Sequence, residues 1–79
     1  MNTQKEIVAS IAKHLAVTPA DIDLNASLAE DLGLGPLEKA DLLADLSSQF
    51  NVIFDPAETE NLETVNDLVV MIEDLLIEE

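Results

Sequence analysis

Apolar residues recur at helical spacing in several stretches of the chain and nowhere alternate as a half-buried strand would. Ile7, Ile11 and Leu15 return every fourth residue, and Val8 and Ala12 widen the stripe. The pattern predicts a helix starting at Thr3, where Thr3 and Glu6 stand at the spacing of a capping box. Thr18-Pro19 is expected to close it, because the residue before a proline is pushed out of helical geometry.

A second helix is expected to open at Gly35-Pro36, since a proline at the first helical position loses nothing by lacking its N–H. On a helical wheel Leu42, Leu43, Leu46 and Phe50 share one face, and Leu37, Glu38, Asp41, Ala44, Asp45 and Ser48 share the opposite one. Lys39 falls beside the apolar stripe and is expected to turn its ammonium outward. After the short apolar link Asn51-Val52-Ile53-Phe54, Asp55-Pro56-Ala57-Glu58 reads as cap, first-turn proline and reciprocal acid, which predicts a short third helix to about Asn61. Thr64-Val65-Asn66-Asp67 is a further capped start. Val65, Leu68, Val69, Ile72, Leu75 and Leu76 then line one side of a last helix to about Ile77, and Glu78-Glu79 should fray against the helix dipole.

Residues 17–35 carry no sustained period. Ile22, Leu24, Leu28, Leu32 and Leu34 are nonetheless too many large apolar groups for a loose linker. They imply a structured loop laid across helix ends, and a loop of that length in a small domain points to function. The expected fold is one all-α domain over residues 1–79: a small four-helix bundle with a long loop between helices one and two and a short third helix. There is no internal repeat and no low-complexity segment.

Charge narrows the partners. The net charge is −14, with Lys5, Lys13 and Lys39 as the only strong cations and no arginine. Nucleic acids and anionic membranes both require cationic contacts, so neither is expected as a partner, while basic protein surfaces are favoured. A hydrophobic content of 48% with clear periodicity argues against disorder despite the charge. Without cysteine there is neither disulfide nor thiolate chemistry, and a cytoplasmic location is expected. No apolar run approaches the roughly 20 residues of a membrane span, and residues 1–6 do not read as a signal peptide.

Catalytic and metal chemistry find little footing. Asp21-Ile22-Asp23-Leu24-Asn25-Ala26-Ser27 has the rhythm of a calcium loop, but Ala26 stands where the turn needs glycine and Leu32 where the bidentate acid belongs, so no metal site is expected. His14, the single histidine, lies in the last turn of helix one, where a role at the helix C-terminus outweighs a catalytic one. The many carboxylates fall on faces expected to be wet, not in the dry pocket that general acid–base work needs. The acidic face of helix two admits two readings: a solvated surface, or a docking surface for a basic partner. Leu37, apolar at an exposed helix start, favours docking.

The order of these features resembles the acyl carrier protein family, and the resemblance covers almost the whole chain. Its strongest stretch is Ser27-Leu28-Ala29-Glu30-Asp31-Leu32-Gly33, followed by Leu37-Glu38, Asp41-Leu42, Phe50-Asn51-Val52-Ile53, Asp55-Pro56 and Thr64-Val65-Asn66-Asp67-Leu68. The resemblance implies a four-helix bundle with a short third helix, and an acyl group carried on a 4′-phosphopantetheine arm. In the family that arm hangs on the serine of an Asp-Ser-Leu motif at the start of helix two. The positions here read Gly35-Pro36-Leu37. Pro36 has no hydroxyl, so no cofactor is expected. Ser27 lies upstream, and Ser47 and Ser48 lie roughly 16 Å further along the helix at about 1.5 Å per residue. Two adjacent replacements, one of them well suited to a helix start, favour natural divergence over a laboratory block of the site.

Three functions follow in order of preference. The first is a non-enzymatic, monomeric interaction or regulatory protein, docking through Leu37, Glu38, Asp41, Ala44 and Asp45 onto basic surfaces such as those of acyl-carrier-dependent enzymes. The second is a carrier in fatty acid, lipid or secondary-metabolite biosynthesis with a non-standard attachment site. An enzyme comes last.

Overall fold

The computed structural model describes residues 3–77, and these contain four α-helices. They are α1 (Thr3–Leu15), α2 (Pro36–Phe50), α3 (Pro56–Thr59) and α4 (Val65–Ile77), with a single 3-10 turn at Pro19–Asp21 in the first connection. α1 packs against both α2 and α4. Their facing stripes supply the core: Ile7 and Ile11 from α1, Leu42 and Leu46 from α2, and Val65, Leu68, Val69 and Ile72 from α4 are almost wholly buried. Each such aliphatic side chain contributes about 1.5–3 kcal/mol on leaving water. Among the described residues no polar or charged residue is buried, so nothing offsets that gain with an unpaired group.

The long connection is packed, as its apolar content implied. Leu28 and Leu34 are buried in the same core, and Ile22, Leu24, Ala26 and Leu32 pack against it. Its backbone is pinned to the start of α4. Ser27 and Thr64 form an isolated antiparallel bridge, with Leu28 N–H donating to Glu63 O at 2.8 Å and Val65 N–H to Ala26 O at 3.1 Å. Each side of the bridge is braced by its own side chains. Ser27 N–H donates to Asp31 Oδ2 and Glu30 N–H to Ser27 Oγ. Asp67 N–H donates to Thr64 Oγ1, and Asp67 Oδ2 accepts from the N–H groups of Thr64 and Glu63. The Thr64–Asp67 pair is the capping box expected of that segment.

Several boundaries differ from those the sequence implies. α1 stops at Leu15, ahead of Pro19. Ala16 takes a left-handed conformation (φ 61), with Ala16 N–H donating to Lys13 O and Val17 N–H to Ala12 O. This is the Schellman closure usually given to glycine, formed here by alanine. Thr3 is already helical, so the cap of α1 lies outside the described residues, as do Glu78 and Glu79. α3 ends at Thr59, two residues short of Asn61, and its Asp55 cap accepts from Ala57 N–H at 2.9 Å. Lys39 does not turn its ammonium outward: Nζ crosses to the Leu62 carbonyl at 3.3 Å, in the non-helical link between α3 and α4, where a backbone oxygen is open to a side-chain donor.

Candidate functional site

The packed loop delivers the chain to the tip of α2. Gly33 takes a positive φ (68), which a side chain would resist, and Leu34 N–H then donates to Leu28 O at 3.0 Å. With Leu34 anchored in the core, Gly35 emerges in an extended conformation as the cap of α2 and Pro36 is the first helical residue. Glycine brings no side chain to the cap, so only the reciprocal half of a capping box forms: Gly35 N–H donates to Glu38 Oε1 at 3.0 Å. Lys39 N–H closes the first turn on Gly35 O at 2.9 Å.

Beyond the tip, Leu37 stands 72% exposed, and Glu38, Asp41 and Ala44 are exposed on the same side of the helix. Asp45, grouped with them by the wheel, is placed differently. It is half-buried on the flank facing α1, and its Oδ2 lies 3.3 Å from His14 Nδ1 and accepts from Gln49 Nε2 at 3.0 Å. Ser10 Oγ donates in turn to Gln49 Oε1 at 2.9 Å. This chain of four side chains across the α1–α2 seam is absent from the sequence reading, though a signal for it exists. Ser10 and His14 are four residues apart on one helix, and Asp45 and Gln49 four apart on the other, so each pair projects from one face.

The chemistry open to the site is limited. A phosphodiester-linked arm requires a hydroxyl oxygen, and Gly35, Pro36 and Leu37 have none, so the residues at the start of α2 do not fit that group. The hydroxyls of Ser27 and Ser47 serve turns instead: Ser27 Oγ accepts from Glu30 N–H, and Ser47 Oγ donates to Val52 O where Asn51 closes α2. Nor do the acids of the first connection gather around a cation. Asp21 accepts from Thr18 Oγ1, Asp23 from Asn25 N–H and Asp31 from Ser27 N–H. Among the described residues no group of three or more such side chains is placed to hold a metal ion.

Residues 5–72 match the family model described as the phosphopantetheine attachment site. Over 68 residues, 86% of each chain, the protein is 35% identical to the acyl carrier protein of Exiguobacterium sibiricum. The chain belongs to the acyl carrier protein family. It is also 38% identical to the Thermotoga maritima acyl carrier protein over 63 residues, covering 80% of this chain and 78% of that one. With the acyl carrier protein of Amoebophilus asiaticus it shares 32% identity over 74 residues, 94% and 92% of the two chains. The four helices are the small helical bundle of that family. Its members ordinarily carry 4′-phosphopantetheine and act as carriers, not catalysts. No helix among the described residues is long and apolar enough to cross a membrane.

Proposed function

We propose that this chain is an acyl carrier protein homologue without a phosphopantetheine attachment serine, with Pro36 standing at the attachment position and Gly35 at that of the preceding acid. It works as a non-enzymatic interaction or regulatory protein, a monomer of the cytoplasm, that docks on the basic surfaces of enzymes receiving acyl carriers. The observation that carries this reading is the tip of α2. Pro36 supplies the fixed φ a first helical residue needs and offers no hydroxyl at the family's attachment position, while Leu37 remains 72% exposed beside it. Leu37, Glu38, Asp41 and Ala44 form the docking surface, with Asp45 at its margin. A net charge of −14 draws a basic partner in and speeds encounter.

The test is intact mass after incubation with coenzyme A and a promiscuous phosphopantetheinyl transferase. The expected result is no gain. A stoichiometric gain, at Ser48 or any other hydroxyl, overturns the reading and leaves a carrier with a non-standard site. The double variant Gly35→Asp with Pro36→Ser is the positive arm and should gain the mass of one arm. It should also fold: Gly35 has φ −78 and ψ 178, which aspartate adopts as a helix cap. A Cβ there meets only the end of the Glu38 side chain, which can swing aside.

A further inference from the structure

α4 carries more apolar surface than the core absorbs. Of its 13 residues only Asn66, Asp67, Glu73 and Asp74 are polar. Val65, Leu68, Val69 and Ile72 fill the interior, yet Val70 is 44% exposed on the far side and Met71 and Leu75 are half-buried. A helix that is apolar nearly all round in a domain this small is covered by something besides its own core. These surplus residues are not scattered. They line a groove of about 520 Å³ between α3 and α4, with Leu62, Met71 and Leu75 as its floor and Val70 at its lip. Its rim is acidic on both sides: Glu58 from α3, and Asp67 and Asp74 from α4. Lys39, which reaches the Leu62 carbonyl, lines the neighbouring grooves and not this one.

We propose that this groove is a second docking surface, whose occupant is a basic amphipathic helix of a protein partner. The floor selects apolar side chains and the rim selects lysine or arginine, which can reach all three carboxylates from one helix face. Asp67 retains Oδ1 for this, since the capping bonds it accepts both fall on Oδ2. The trough is open. Glu58, Asp67, Val70 and Asp74 are all exposed, which suits a helix laid along it better than a small molecule, since ligand pockets enclose most of their guest. The groove is lined by the α3 end and α4 and shares no lining residue with the proposed α2 surface. The inference does not depend on the α2 reading.

The test titrates a synthetic amphipathic helix of leucines and lysines into the ¹⁵N-labelled protein. Amide shifts are expected over residues 58–62 and 67–75. Val70→Ser with Asp74→Lys should raise Kd about tenfold, whereas Glu6→Lys, an equal change of charge at an exposed site on α1, should leave it within about twofold. Glu58→Lys alone, at an exposed site on the other wall, should weaken binding in the same direction, and unchanged circular dichroism confirms each variant is folded. Shifts confined to residues 37–48, or a Kd indifferent to the α4 substitutions, overturn the proposal. So does equal affinity for a peptide whose leucines are replaced by serine, since charge alone would then account for binding. A self-associated dimer abolished by the α4 variant would show that a second copy of the chain is the occupant, and would overturn it as well.

Discussion

His14 Nδ1 lies 3.3 Å from Asp45 Oδ2, and that contact joins the last turn of α1 to the middle of α2. The partners are partly open to solvent, so their worth to stability is small, of the order of exposed ion pairs at about 0–1 kcal/mol. Asp45 Oδ2 already serves His14 and Gln49, which leaves Oδ1 for a partner. His14→Ala should change the thermal midpoint by a few degrees at most, since about 1 kcal/mol moves a domain of this size by about 4–8 °C. It should also strengthen binding of a basic partner to α2, because one competitor for the Asp45 carboxylate is gone. Weaker binding in isothermal titration would mean that holding Asp45 in place matters more than freeing it.

The α2 surface is tested by charge reversal. Glu38→Lys with Asp41→Lys should lower affinity for a captured basic partner about tenfold or more, chiefly through slower association at low salt. Both positions are exposed, but Glu38 also accepts the Gly35 N–H, so helix content should be checked alongside. Unchanged affinity by titration calorimetry would remove this face from the interface.

Ala16 offers a gain in stability. Its φ of 61 places a Cβ in the left-handed region, where glycine meets no steric penalty. Ala16→Gly should stabilise the fold by about 0.5 kcal/mol after allowance for the greater freedom of glycine in the unfolded chain. That corresponds to a rise in Tm of about 2–4 °C by calorimetry. A fall would show that the Schellman closure at this helix end is unstrained with alanine.

The bridge between the long loop and α4 hangs on Asp67, whose Oδ2 accepts two backbone N–H groups. Asp67→Ala should cost about 1–2 kcal/mol, the usual loss for a helix cap, read as a lower urea midpoint at unchanged slope. Amide exchange should speed up at Leu28 and Val65, whose N–H groups cross the bridge. Protection unchanged at both would separate the cap from the strap.

The core is the least forgiving region. Leu46 and Leu68 are wholly buried, so truncating either to alanine should cost about 2–5 kcal/mol. A domain of this length has only about 4–12 kcal/mol in total, at about 0.05–0.15 kcal/mol per residue. Denaturant unfolding should show either variant losing a large share of its stability.

Pattern and residue type alone specified the helices and their inward faces, and they put at position 36 a proline, which has no hydroxyl. Local chemistry decides those features: the periodicity of Ile7, Ile11, Leu42, Leu46, Leu68 and Ile72, the Asp55 and Thr64 caps, and a proline ring of three methylenes that offers no oxygen. Long-range packing settled what meets across gaps of tens of residues. It paired Ser27 with Thr64, turned Lys39 onto the Leu62 carbonyl, and drew Asp45 out of the acidic face into the seam with His14. A helical wheel assigns a residue to a side but not to a neighbour, and Asp45 sits at the edge of its side, where the packing of α1 against α2 settles what it touches. The same limit hid the groove: the pattern puts Leu75 on the inward side and gives Val70 and Met71 no role, whereas all three line the trough beside α3.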